Sequence, residues 1–454
     1  MRFISNAARI IRANRALLVN IGGSVAIKGL AALVQVALLP AYLRYFGDSV
    51  VLGVWFTAVT ILGWILTFDL GLGNGLRNRL AAALAVRDTT AARSLISSTY
   101  VMVLALSVAA GVGGFVAVPH VDWNRIFNVS PIDMSADLLV TMVSVMLGGI
   151  VLRFALGLIT SIMYALQASA LNNLMALLQN GLVLAYLLLA SPASLADNVA
   201  ALTWVNVVSM NLPAAVATIV VFSTTLRTTR PSLRHVSLSD ALGTLRLGIS
   251  FFIIQILGIV VTQNEIFVTQ FFSPEAVVDY QKYIRLYGVL VTIFNIAVTP
   301  LWSAVTRAIA QGRFAWVRKL LRVIFALIAL IGLLFFAIWP VLDRVFRLWL
   351  GAQAPVVTVG HALAMAVLGL ANVCYFAWST ISYGMGLTRP NLIWIGAGAA
   401  VKTPLIYFIS RVVHDWSAVV LANVVIIAPY AIILPVLISR RIIAMERDHR
   451  TGAT

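Results

Sequence analysis

Lys28, Arg153 and Lys402 lie near the middle of apolar stretches long enough to cross a bilayer, and almost no acid is available at similar depth to pair with them. A cation at the centre of a membrane costs about 2.5–3.5 kcal/mol on an insertion scale, so it persists where it faces water, a partner or an anionic ligand. These three are the leading candidates for contact with phosphate or another anion. Two acids complete the set: Glu265 within an apolar stretch, and Asp69 at the end of one. Each could balance a cation, or titrate and couple ion movement to another process.

The elements that must hold these residues follow from composition. The chain has 454 residues, 61% of them hydrophobic and 10% charged, with a mean hydropathy of +0.99. Such values belong to a polytopic membrane protein. Apolar windows of spanning length fall at 17–45, 51–72, 94–118, 138–166, 171–190, 200–222, 247–271, 280–303, 321–342, 357–384, 391–410 and 417–438. Twelve spans put both termini on one side. Alternate loops and the termini then hold twenty-two Arg and Lys residues, against Arg125, Arg344, Arg347 and Arg411 on the opposite side. The basic side is expected to be cytoplasmic. This loop bias accounts for the net charge of +17 without invoking nucleic acid. Cys374 is the single cysteine, which rules out an intrachain disulfide and a cysteine metal cluster; it reads as a small buried hydrophobe.

Residues 1–16, with Arg2, Arg9, Arg12 and Arg15 and no acid, read as an amphipathic cytoplasmic tail rather than a cleaved leader. A basic stretch at 223–246 divides spans 17–222 from spans 247–438, and 439–454 forms a second cytoplasmic tail. The halves share a faint repeat at an offset of about 226 residues. Tyr45-Phe46 with Asp48 matches Phe271-Phe272 with Glu275, and Arg93-Ser94-Leu95 falls on Arg318-Lys319-Leu320. Six spans per half give the repeats the same orientation, about an axis along the membrane normal.

Polar residues recur at helical spacing within the spans. Asn20, Ser24, Lys28 and Gln35 share one face of the first span, and Gln255, Thr262, Glu265 and Thr269 share one face of its counterpart. The eighth opens with Tyr280, Lys282, Tyr283 and Arg285, and the tenth carries Asn372, Tyr375, Ser379 and Ser382. Amides, hydroxyls and aromatic rings suit sugars, and the cations suit phosphate. The plain alternative is that the stripes are interhelical hydrogen bonds and that Lys282 and Arg285 snorkel to the interface. Prolines 40, 213, 300, 340, 404 and 429 and the run Gly71-Leu72-Gly73-Asn74-Gly75 provide places to bend. That run lacks the flanking strand and Gly-Lys-Ser/Thr of a phosphate-binding loop, so ATP hydrolysis is not expected.

Tyr45-Phe46-Gly47-Asp48 to Gly53-Val54-Trp55, followed by Asp69-Leu70-Gly71-Leu72-Gly73-Asn74-Gly75-Leu76-Arg77-Asn78, resembles the first-repeat pattern of Wzx-type polysaccharide flippases. These belong to the multidrug/oligosaccharidyl-lipid/polysaccharide exporter superfamily. Asn264-Glu265, Tyr280 to Leu286, Pro300 to Ala304, Gly312 to Trp316 with Arg318, and Leu348-Trp349-Leu350-Gly351 are similar to its second-half signatures. One departure is Gln263, where many relatives carry an acid before the asparagine. The resemblance implies an all-α, MATE-like fold of two pseudo-symmetric six-helix lobes in a bacterial cytoplasmic membrane. It also implies alternating-access transfer of a polyprenyl-diphosphate-linked oligosaccharide to the outer leaflet for surface polysaccharide biosynthesis. Membrane lipids and a polysaccharide polymerase are the other partners it implies; no cofactor or metal is expected, and the sequence leaves the oligomeric state open, a monomer included. The expected substrate contacts are Lys28, Arg153 and Lys402, then Lys282, Arg285, Gln35, Asn372 and Tyr375, with Glu265 and Asp69 as coupling candidates.

Two rivals remain open. A cation-coupled multidrug antiporter of the same superfamily would place a carboxylate in mid-lobe, where the first span has Lys28. A membrane glycosyltransferase or polymerase would need an acid in an external loop, and the 119–137 loop does hold His120, Asp122 and Asp133.

Overall fold

A computed structural model describes residues 15–67, 72–166, 168–191, 193–299, 301–387 and 389–451. The amphipathic tail expected at 1–16 and the candidate Asp69 therefore lie wholly or largely outside the described residues. Those described are almost entirely helical. In the first half, α1 is Arg15–Phe46, α2 Ser49–Thr67, α3 Leu72–Ala85, α4 Thr89–Ala117, α5 Trp123–Phe127, α6 Ala136–Ala165, α7 Ser169–Leu189 and α8 Leu195–Ser223. The second half runs α9 Leu238–Thr262, α10 Glu265–Phe271, α11 Pro274–Val298, α12 Leu301–Ala310, α13 Phe314–Ala337, α14 Leu342–Leu350, α15 Val359–Gly384, α16 Arg389–Ser410 and α17 Ser417–Thr451.

The described part of each of the twelve apolar windows falls mainly on helix. Among the described residues nine helices are long and apolar enough to cross a membrane. The other three windows are α2, α9 with α10, and α11. The last carries Glu275, Asp279, Lys282 and Arg285 in its first half, which lowers its hydropathy. Local chemistry sets the starts. Side chains of Asp88, Ser135, Ser194, Ser273 and Thr358 accept from the backbone N–H three residues on, which satisfies donors that a helix start leaves open.

Three differences from the sequence expectation matter. The basic loops 73–93 and 304–322 contain helices, α3 and α12, whose Arg77, Arg79 and Arg307 had masked them as loop. The glycine run ends in helix rather than at a bend: a Cβ on Gly75 would lie 2.5 Å from the carbonyl oxygen of Thr244, so glycine there permits close packing of α3 on α9. The window 247–271 is not one helix, because it breaks at Gln263-Asn264.

The chain forms two compact units: the described part of Met1–Asp48 with Ala58–Ile256, and of Ser49–Thr57 and Leu257–Thr454. In the first, Leu76 and Leu80 of α3 pack with Ile96 of α4, Ile159 and Ile162 of α6 and Val221 of α8. The linker after α8 is tied to α4 and α3. Ser97 and Ser98 accept from the backbone N–H of Ser232 and Ser237, and Asp240 takes Arg79 at 2.6 Å and the Ser94 hydroxyl at 2.7 Å. In the second unit the start of α2 lies against α11. A Cβ on Gly53 would fall 1.8 Å from the Pro274 carbonyl oxygen, and Thr57 and Thr269 share a hydroxyl contact of 2.6 Å.

Candidate functional site

The break between α9 and α10 gathers a buried polar network in the second unit. Lys402, on α16, is fully buried. Its Nζ donates to the carbonyl oxygens of Val260, Val261 and Gln263 at 2.8, 3.0 and 2.9 Å, and to Asn264 Oδ1 at 2.9 Å. Those carbonyls sit at the C-terminal end of α9, which has no further turn to use them; a cation also suits the negative end of the helix dipole. The ammonium lies 4.3 Å from the centroid of the Phe267 ring, close enough for a cation–π contact.

Asn264 holds the network together. Its Oδ1 also accepts from Asn423 Nδ2 at 2.6 Å, and its Nδ2 donates to the Tyr280 hydroxyl at 2.9 Å. Glu265 is 8% exposed, and accepts from Gln281 Nε2 at 2.9 Å and from the Asn264 backbone N–H at 3.1 Å. Arg285 Nε donates in turn to Gln281 Oε1 at 3.2 Å, and its guanidinium stands 5.2 Å from the Phe56 ring. From the sequence Lys402 is expected to meet an anionic ligand; here its ammonium is saturated by protein oxygens. A lysine at membrane depth needs either water or acceptors, and the end of α9 with the break after it supplies the acceptors.

Arg153 is placed differently. It lies on α6 in the first unit and donates through Nη1 to the Met210 carbonyl oxygen on α8 at 2.8 Å. That carbonyl lies in the turn before Pro213, next to the Ser209 carbonyl that the missing proline N–H leaves open, where the helix is disturbed. Arg153 also lines a cavity of about 260 Å³ with Val103, Phe154, Gly157, Thr160, Ser161 and Gln179, among others. No acid is among the lining residues.

The remaining candidates are dispersed. Lys28 is half-buried and Gln35 exposed on α1. Lys282 is 9% exposed, with Nζ 2.9 Å from Asp279 Oδ1 one turn earlier, so its charge is engaged within α11 rather than held ready for an outer anion. Asn372 is half-buried on α15. Tyr375 packs its ring 5.2 Å from that of Tyr430, beside the cluster of Val261, Ile395 and Ile426. The structure therefore joins Lys402, Arg285 and Glu265 in one network and leaves Arg153 in another unit.

Several residues escaped the sequence reading. Nothing in the sequence alone gives Asn264, Gln281 or Asn423 a role; a lysine at membrane depth is the signal that such amides must be sought. A second buried group joins Ser379, Asn391 and Tyr430: Ser379 Oγ meets Tyr430 OH at 2.7 Å, and Asn391 Nδ2 reaches Ser382 Oγ at 3.1 Å. At the start of α15, His361 Nε2 lies 3.1 Å from Asp415 Oδ2 beside a cavity of about 430 Å³. Burial pushes the Asp415 carboxyl up, but hydrogen bonds from Ser417 and His361 outweigh it and hold the group below the usual carboxylate range.

Comparison places this arrangement on a known scaffold. No protein-family model matches the chain, and no curated protein sequence matches it. Solved structures do. An inward-facing multidrug-resistance MATE family transporter of the MOP superfamily aligns with a TM-score of 0.71 and 17% identity, covering 93% of this chain and 95% of that one. An outward-facing MATE family transporter gives 0.61 and 14% identity over 94% and 96%. A MOP superfamily transporter from Pyrococcus furiosus, whose description reports reverse polarity of its binding pocket and suggests a different function, gives 0.59 and 17% over 94% and 96%. The chain is similar to these transporters in fold, an all-helical multi-pass membrane fold of the MATE type.

Proposed function

We propose that the protein is a flippase for a polyprenyl-diphosphate-linked oligosaccharide, carrying its anionic headgroup to the outer leaflet by alternating access. The observation that carries this reading is the Arg153 cavity. It puts a guanidinium, two hydroxyls and an amide at one place between apolar helices, with no acid among the residues that line it. A guanidinium forms bidentate hydrogen bonds to phosphate oxygens, and Thr160, Ser161 and Gln179 offer partners for sugar hydroxyls or further phosphate oxygens. A volume of about 260 Å³ suits a diphosphate rather than a whole glycan, so the sugars and the lipid tail extend beyond it. Outward movement of negative charge against an inside-negative potential gains about 2.3 kcal/mol per charge per 100 mV.

A cation-coupled multidrug antiporter is the second reading, and Glu265 favours it as a buried carboxylate in the second unit. That carboxylate is already engaged by Gln281 and a backbone N–H, which is less suited to a drug cation than an open acid would be. The test is flipping of a fluorescent polyprenyl-diphosphate sugar in proteoliposomes, with wild type, Arg153→Ala and Lys28→Ala at matched protein levels. Arg153→Ala is expected to lose flipping about tenfold or more, the scale of one lost charge-assisted contact. Unchanged flipping in that variant removes the cavity from the mechanism, and cationic-drug efflux without flipping by wild type establishes the antiporter instead.

A further inference from the structure

The four oxygens around Lys402 form a coordination shell. Two are backbone carbonyls of the last turn of α9, Val260 and Val261, the third is that of Gln263 in the break, and the fourth is a side-chain amide oxygen. Discontinuous membrane helices commonly use unwound carbonyls and half-helix C-termini to hold a monovalent ion. The shell is reinforced from its far side. Asn423 donates to the same Asn264 oxygen, while its own Oδ1 is buried with no hydrogen-bond partner. Glu265 is buried next in sequence, and the Phe267 ring faces the ammonium.

We infer that the second unit contains a monovalent-cation site, built from the Gln263-Asn264 break, whose resident cation is the Lys402 ammonium. The lysine fills from within a place that an ion from solution would otherwise take. Ammonium and potassium ions are nearly equal in size. Oxygens spaced 2.8–3.0 Å from the nitrogen are therefore set for ammonium or potassium rather than for the smaller sodium ion. In the intact protein the break is held without any dissolved ion. Once the side chain is shortened, the three carbonyls lose the Lys402 donor and, with the Asn264 oxygen, accept a potassium or ammonium ion. This inference concerns the helix break alone and does not depend on what cargo the protein carries.

The experiment is the apparent melting temperature of purified full-length protein at equal ionic strength in potassium, ammonium, sodium or N-methyl-D-glucamine chloride. Wild type is expected to melt at one temperature in all four. Lys402→Ala is expected to melt lower, and to recover by about 2 °C or more in potassium or ammonium, saturably and less in sodium, as a ligand bound only to the folded state requires. Lys402→Met, which fills the space with an uncharged chain of similar length, is expected to melt low in every salt. Equal melting of Lys402→Ala in all four salts overturns the inference, as does a Lys402→Met variant as stable as wild type. Wild type provides an independent test should Lys402→Ala fail to fold. A potassium-dependent rise in wild type that Asn264→Ala abolishes would show that the shell is open to dissolved ions, and the inference would fall.

Discussion

The two halves begin with related helices and solve the same problem in different ways. In α1 a proline, Pro40, interrupts the ladder near the end of a helix that continues to Phe46. In the second half the corresponding stretch parts into α9 and α10 at Gln263-Asn264. Proline removes one donor and leaves little to satisfy. A full break frees several carbonyls, each costly inside a membrane unless it is paired. The second half meets that demand with Lys402, whose ammonium donates to three carbonyls. An intramembrane cation can thus be a structural counterpart to a helix break as readily as a ligand contact, and burial of its head group separates the two. Lys402 belongs to the first kind. Arg153, which bonds one carbonyl and borders a cavity, has room for both roles.

Asn264→Leu should cost about 2–4 kcal/mol, since it strips an acceptor from a buried ammonium and leaves Tyr280 and Asn423 without a partner. Pro40→Ala, which restores a donor to α1, should change stability by less than about 1 kcal/mol. Both are read from denaturation of purified protein, and similar costs would mean that the two interruptions are equivalent after all.

A smaller effect concerns proline kinks elsewhere. Trp394 Nε1 donates at 2.8 Å to the Ile426 carbonyl oxygen, three residues before Pro429 in α17. This is the position that Arg153 occupies relative to Pro213. Trp394→Phe keeps the ring and loses the donor, so it should cost about 1 kcal/mol. A neutral result would show that the carbonyl needs no partner there, and would weaken the structural half of the Arg153 account.

The smallest effect is at Asp415. Because the folded protein holds this carboxyl below its ordinary range, its contribution is present above the unfolded value of about 3.9 and is lost as pH falls through the folded value. Asp415→Asn should therefore lower stability slightly at neutral pH, and the gap from wild type should close in strong acid. A gap that widens on acidification would reverse the sign of this argument.

Recurrence of the halves is legible in where elements start. Ser49, Leu72 and Thr89 open α2, α3 and α4, and Pro274, Leu301 and Phe314 open α11, α12 and α13. Hydropathy showed the long members of each set, and basic residues concealed α3 and α12. Lys28, Arg153 and Lys402 were all visible as cations at membrane depth, yet their environments diverge. Hydropathy registers the cost of a charge, while its partner comes from a helix far away in the chain.

Membrane class, the twelve apolar segments and the separation of basic from acidic loops are all readable from composition and length. Transfer of each segment out of water depends on its own composition and length. Tertiary structure alone decided that the 247–271 stretch breaks at Asn264, and that Lys402 fills the break. It also decided that Arg153 borders a cavity. Backbone carbonyls are the same at every residue, so which of them need a donor, and which side chain provides it, is settled only when α9, α16 and α17 pack together.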